Sequence, residues 1–287
     1  MLVGSGAHSN EMWLSPGNGQ RESFRDCPNC PEMVVVPAGE FVMGSPKDEP
    51  NRWAFSENRQ KITFKRAFVA GKYAVTRGEF ETFVTATRHA MTDKCELPDG
   101  SGTTAKAGAS WRSPGFKQTA RHPVVCVTNE DADAYAAWLS RKTSKKYRLI
   151  VDSEREYLAR AGTTTAFWWG STITPDQADY DSRWPFEPGG PKGKPRLATL
   201  PVDAFKPNPW GLYQVHGNVA EWVEDCWDNI TMTAPADGSV RPDGQCHSLM
   251  HRGGGWHSGP AALRSAAAGL STNNAFSYAG FRVARDL

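Results

Sequence analysis

Residues 250–269 read MHRGGGWHSGPAALRSAAAG. Arg252 enters a glycine triplet, Trp256 follows, and the rest is almost wholly His, Ser, Gly, Pro and Ala. Core segments need bulk and surface segments usually carry charge. This one has little of either, and it runs shortly before GFRVAR (280–285), which reads as a strand. Such a composition fits a chain that lines a pocket.

Working outward, 287 residues with 39% hydrophobic and 22% charged side chains form an ordinary globular composition. The unusual counts are 11 Trp, 27 Gly and 20 Pro, which point to irregular backbone fixed by large aromatics rather than to stacked long helices. A formal charge of +2 gives no reason to expect a nucleic-acid partner. No run approaches the roughly 18–20 apolar residues of a membrane span. The N-terminus lacks a basic start followed by an apolar run, so no intact signal peptide is present and localisation stays open. Residues 1–26 read as a flexible leader and residues 27–287 as one domain. A monomer is expected.

Six cysteines are present. Cys27 and Cys30 form CPNC without a second CxxC to complete a zinc ribbon, which leaves a local disulfide or free thiols. Cys226 and Cys246 bracket a polar, turn-rich loop that a disulfide would close, in favour of an oxidising compartment.

MVVVPAGEFVMGS (33–45) reads as two short strands around a turn, and KITFKRAFVAGKYAVT (61–76) is again strand-like. Thr76 and Glu79 form a capping box that opens a helix with Phe80, Phe83 and Val84 on one face. The segment from Thr87 to Arg121 reads as an irregular surface excursion. A second helix starts at Thr128, with Glu130, Asp131 and Asp133 in its first turns and Ala132, Tyr135, Ala136 and Leu139 as its buried stripe. After the strand KKYRLIVD, Ser153 and Glu156 suggest a third capped helix ending near Gly162. Beyond Gly170 the chain reads as nearly free of helix. The class is α+β with little regular secondary structure.

Five pieces in order, VPAGEFVMGSP, GKYAVTRGEFETFV, YRLIVDSEREYLARAGT, NPWGLYQVHGNVAEWVED and HRGGGW with GFRVAR, closely resemble the formylglycine-generating enzyme (sulfatase-modifying factor) family. The resemblance spans roughly Met33 to Leu287 and implies a variant of the C-type lectin fold. Its best-known members oxidise a sulfatase cysteine with oxygen and a copper ion held by two cysteines; soft thiolates suit Cu(I). At those two positions this sequence has Ser258 and Leu263, and Ala220 stands where the family has an active-site tryptophan. The resemblance therefore implies that the cysteine-oxidising chemistry is absent and that no copper is held.

It also implies structural calcium, held by the Gln214 side chain, the Gly217 and Val219 carbonyls and the Glu221 carboxylate, with a second site at Asp179 and the Tyr180 carbonyl. The plainer alternative is that Gly217 and Asn218 make a turn and Glu221 pairs with an arginine. His216, His251 and His257 are the candidates for a different metal, without HxH or HxxxH spacing. Ser258 beside His257 is no dyad, and GxSxG, HExxH and phosphate-loop patterns are missing. Glu224, Asp225 and Asp228 read as a solvated rim. Trp222 and Trp227 read as core aromatics, and Trp256 as either core or pocket wall.

The expected ligand-binding set is Ala220, Trp256, His257, Ser258, Gly259, Ala261, Ala262, Leu263, Phe276 and Tyr278. His257, Ser258, Gly259, Ala261, Ala262, Ala275, Phe276, Ser277 and Tyr278 are also residues that an asparagine codon yields when only its adenines change, a pattern that resembles the variable proteins of diversity-generating retroelements. The expected function is a catalytically silent binder of a protein or peptide ligand. The alternative is an oxidoreductase of the same family with a non-cysteine metal site acting on a peptide or small molecule.

Overall fold

The computed structural model describes residues 23–53, 56–100, 102–227, 233–241 and 248–287. Two four-stranded sheets and two hairpin ribbons carry the chain. The first sheet has the order β1 (Met33–Val36), β4 (Phe68–Gly71), β12 (Val283–Asp286), β7 (Tyr147–Leu149), all antiparallel. The second has the order β10 (Ala268–Ser271), β9 (Ser248–Arg252), β8 (Ala220–Trp227), β11 (Ala279–Phe281), with β11 parallel to β8. The GFRVAR motif supplies both β11 and β12, so one short run crosses from sheet to sheet with Arg282 at the crossing. MVVVPAGEFVM divides likewise: β1 joins the first sheet, while β2 (Gly39–Met43) pairs only with β3 (Gln60–Phe64).

Helix α1 (Arg77–Thr87) begins at Thr76 with the Glu79 capping box, and Phe80 and Phe83 are buried. Helix α2 (Asn129–Thr143) begins at Thr128, whose partner in the box is Asp131, and buries Ala132, Tyr135, Ala136 and Leu139. Helix α3 (Asp152–Arg160) starts earlier than Ser153 would place it. Glu154, not Glu156, reaches back to the backbone of the capping residue, accepting from Val151 N at 3.0 Å. Ser153 instead donates to the Gly238 carbonyl.

All nine residues of α3, DSEREYLAR, are buried. A charged helix can sit there only if each charge meets a partner. Asp152 binds Arg252 and, at 2.8 Å, Arg241; Glu156 binds Arg160 at 2.8 Å and Arg252 at 3.1 Å. Arg155 Nε donates to Glu221 Oε2 at 2.7 Å, and Arg282 donates to both oxygens of the same carboxylate at 2.8 and 3.1 Å. Glu221 thereby joins α3, β8 and the junction of β11 with β12.

Three sequence expectations need correction. The 87–121 segment holds the hairpin β5 (Lys94–Pro98) and β6 (Thr103–Ala107), and Cys95 and Trp111 are buried in the core. A disulfide from Cys95 to Cys126 fixes that hairpin, alongside the local Cys27–Cys30 bridge. The end of the supposed leader is engaged too: Asp26 accepts from Tyr147 Oη at 2.6 Å and from Arg285 at 2.8 and 3.0 Å. Residues 1–22 lie outside the described residues. Asp225 is not a rim acid: fully buried, it accepts from the Asp152 and Arg241 amides at 2.6 and 3.0 Å. Asp228 and Cys246, with the closure expected at Cys226, lie outside the described residues.

Removing the charge of Glu221 leaves two buried guanidiniums without their shared counter-ion. Glu221→Gln is expected to lower the unfolding free energy by about 3–5 kcal/mol, against about 1 kcal/mol for the half-buried helix-cap change Thr128→Ala. Denaturant titrations of the two variants measure this, and equal losses would refute it.

Candidate functional site

Four stretches meet at the small-residue segment: 179–181, 214–220, 253–263 and 276–278. Backbone bonds sew them together. Gly217 N donates to Gly253 O at 2.8 Å, Asn218 N to Asp179 O at 2.9 Å and Trp256 N to Asn218 O at 2.9 Å. Asp181 N donates to Ser258 O at 2.9 Å and Ala220 N to Tyr278 O at 2.8 Å. Such close approach explains the glycines. Gly217 has φ +82°, and a Cβ there would lie 2.4 Å from Asp179 O; at Gly253, φ +92°, it would lie 2.6 Å from the Arg155 guanidinium. Asn218 holds the knot from outside, donating to Leu200 O at 3.0 Å and accepting from Leu200 N at 2.9 Å.

The expected ligand-binding residues separate into a floor and a face. Ala220, Trp256, Leu263 and Phe276 are buried. Leu263 packs with Phe167, Ile173, Tyr180 and Phe186, and Trp256 donates to Ser277 O at 3.0 Å while its ring meets Phe116 edge-on at 5.5 Å. These four support the site and do not line it, a correction to the sequence reading. His257, Ser258, Gly259, Ala261, Ala262 and Tyr278 are half-exposed and form the face. Ser258 is a turn residue here, its hydroxyl accepting from Gly255 N at 3.0 Å.

Aromatic rings stack behind the face. The His257 ring lies on Tyr278 at 3.8 Å between centroids, and Tyr278 lies on Phe276 at 5.0 Å. Trp222 continues the column at 6.1 Å from Phe276, with its indole N–H bound to Val127 O at 3.1 Å. Trp222 and Trp227 are core, as read. Burial brings His257 down to about 4, so the ring is neutral at pH 7, and its Nδ1 has no hydrogen-bond partner among the described residues. Burial raises Tyr278 to about 12, which keeps its hydroxyl protonated.

The three histidines do not converge. Among the described residues no group of three His, Cys, Asp or Glu side chains could hold a metal ion. Both nitrogens of His216 are used: Nδ1 donates to Leu263 O at 2.7 Å, and Nε2 accepts from Trp168 N at 3.3 Å. His251 packs edge-on against Trp222 at 5.7 Å.

The expected first calcium set does not fit the ion. All the Glu221 hydrogen bonds come from Arg155 and Arg282, Gln214 Oε1 accepts from Asn218, and Gly217 O accepts from Val219 N at 2.9 Å. Burial alone would push the Glu221 carboxyl up, but the two arginines outweigh it and hold it below the usual range. The turn-and-arginine alternative describes this place. Asp179 differs. It is fully buried, neither carboxylate oxygen has a hydrogen bond among the described residues, and the nearest cation is Arg196 at 3.6 Å. Desolvation raises it to about 7. A buried carboxylate whose ion pair with Arg196 is this long, and whose oxygens accept no hydrogen bond among the described residues, fits a hard cation.

Sequence reading missed Asp181 and Glu96, and read Asn218 only as a turn residue. Glu96 lies far along the chain, yet its backbone pairs with Ala275 and Ser277 at 2.7 and 2.9 Å and holds the strand that carries Phe276. No local pattern announces such pairing.

His216 supplies a test of the floor. Burial lowers it to about 3 from 6.5, so the native state holds it neutral and the unfolded chain takes up a proton first. Its contribution is complete above pH 6.5 and is lost as pH falls toward 3, at about 1.4 kcal/mol per pH unit. His216→Gln, which keeps a donor and an acceptor, is expected to remove that slope from stability measured between pH 7 and 4; an unchanged slope would show the ring is not held this way.

With the geometry established, similarity to known proteins can be stated. Residues 19–287 match the sulfatase-modifying factor enzyme 1-like domain. The bovine formylglycine-generating enzyme is 32% identical over 74% of this chain, which spans 62% of that protein's length. A bovine relative described as inactive C-alpha-formylglycine-generating enzyme 2 is 28% identical over 74% of this chain and 73% of its own. Among solved structures, PvdO from Pseudomonas aeruginosa superposes with a TM-score of 0.79 at 36% identity, covering 93% of this chain and 98% of that one. Treponema denticola variable protein 1 shares the fold, with a TM-score of 0.64 at 18% identity over 93% of this chain and 99% of its own. This chain belongs to the sulfatase-modifying factor (formylglycine-generating enzyme-like) family.

Proposed function

We propose that the chain is a binding member of its family, without cysteine-oxidising activity, and that the face formed by His257, Ser258, Gly259, Ala261, Ala262 and Tyr278 takes a protein or peptide ligand. The observation that carries this reading lies at the two positions where the family resemblance puts copper thiolates. One is Ser258, whose hydroxyl is committed to a turn and is a poor ligand for Cu(I). The other is Leu263, which is buried in an apolar cluster and offers no donor. A family relative described as inactive makes loss of the activity a precedent within the family.

The face suits a main chain. Small side chains let a ligand backbone approach, and the His257–Tyr278 stack offers a flat aromatic surface with a polar edge. The diversified-binder reading is supported at His257, Ser258, Gly259, Ala261, Ala262 and Tyr278, which are half-exposed. At Ala275, Phe276 and Ser277, which are buried, variation would alter the core instead. The oxidoreductase alternative has less support, because His216 spends both nitrogens on the backbone.

Purified chain incubated with copper and a cysteine-containing sulfatase peptide is expected to leave the peptide mass unchanged and to retain copper well below one equivalent. Conversion with stoichiometric copper would overturn the reading.

Calcium is proposed at Asp179, where it would neutralise the buried carboxylate. Millimolar calcium is expected to raise the melting temperature relative to EDTA, and Asp179→Asn to abolish the difference. A calcium effect that persists in the variant would assign the ion elsewhere.

A further inference from the structure

Residues 183–192, RWPFEPGGPK, form a loop whose ends are closed by the bond from Gly193 N to Ser182 O at 2.7 Å. Phe186 roots it, buried against Phe167 at 5.3 Å, and Asn51 donates to the Phe186 carbonyl at 2.7 Å. Pro185, Pro188 and Pro191 restrict the backbone further. On this fixed support Trp184 is 62% exposed.

A single exposed hydrophobic residue needs no explanation. Three further observations make this one different. Its position is set beside the candidate face: Arg183 binds Asp181 through two bonds of 2.7 and 2.9 Å, and Asp181 N donates to Ser258 O. A second large apolar side chain, Leu197, is 55% exposed where the chain leaves the loop. Lys192 and Lys194 lie between them, both exposed and neither in an ion pair among the described residues. Of the acids nearby, Asp181 is taken by Arg183, exposed Asp176 follows Pro175, which packs at Gly193, and Glu187 is the only acid among residues 183–197.

We propose that this loop is the anchor of a docking surface for an acidic peptide segment bearing an apolar side chain, which packs on Trp184 while its carboxylates meet Lys192 and Lys194 and its main chain continues onto the His257–Tyr278 face. The last clause rests on the binding role proposed above; the first does not. An exposed indole carried on an anchored backbone offers a large contact area. The lysines supply attraction that salt weakens.

The test is calorimetric titration of the full chain with N-acetyl-Glu-Glu-Leu-Glu-Glu-amide and with its counterpart in which glutamine replaces every glutamate. The acidic peptide is expected to bind, more weakly at high salt, and the neutral one not to bind measurably. Trp184→Ala, which leaves the core untouched, is expected to weaken binding about tenfold, and Lys192→Glu with Lys194→Glu to abolish it. Equal binding of the two peptides, unchanged binding by Trp184→Ala, or no binding of either peptide would each overturn the inference. Tyr278→Ala separates the two claims. If it weakens binding as Trp184→Ala does, loop and face act together. If Trp184→Ala weakens binding and Tyr278→Ala does not, the loop stands and its continuation onto the face fails.

Discussion

Everything in this molecule is arranged around one carboxylate. Glu221 sits on β8 with its oxygens facing Arg155 from α3 and Arg282 from the junction of the two sheets, all three fully buried. A buried ion pair as a whole contributes little more than a well-packed apolar contact, yet losing one partner is costly. The arrangement therefore penalises wrong registers more than it deepens the right one. The other charges of α3 extend the same logic, since Asp152 and Glu156 are each met by arginines from other parts of the chain. A helix that would be soluble alone becomes the interior of the domain because the fold brings its counter-ions to it.

The candidate face rests on that interior. Arg155, besides holding Glu221, donates to Val215 O at 2.8 Å and lies where a side chain at Gly253 would have to go. The turn containing Ser258 is thus fixed from beneath by charges and from the side by Asn218. Residues on the outer layer can change without disturbing this support, and chemistry can be lost while architecture persists.

Much of the architecture was legible in the sequence because it is written locally. Thr76 with Glu79, and Thr128 with its acids, place two helix starts correctly, and the buried stripe of α2 follows from its spacing. The start of α3 differs from the Ser153–Glu156 reading because Glu156 is drawn into pairing with Arg252, while Glu154 accepts from the amide of Val151, a residue with no capping side chain to announce it. Within the candidate site, composition identified the segment, but not which residues turn outward. Leu263 and Trp256 look alike on paper as pocket walls; packing against Phe186 and Phe116 from remote stretches makes them floor. Glu96 and the Cys95–Cys126 bridge were invisible for the same reason: their partners are distant in sequence and no period connects them.

Strand β12 lies inside the first sheet, between β4 and β7, and β11 closes one edge of the second. Both come from residues 279–286, and Arg282 between them completes the Glu221 clamp. Until this run is in place the first sheet lacks an inner strand and the second an edge strand. The partners of the α3 charges, Arg241, Arg252 and Glu221, all precede this run, so its arrival adds the second arginine of the Glu221 clamp and an inner strand of the first sheet. Its contacts with β4, β7 and β8 are all long-range, so by loop-closure entropy they are expected to form later than the locally capped helices.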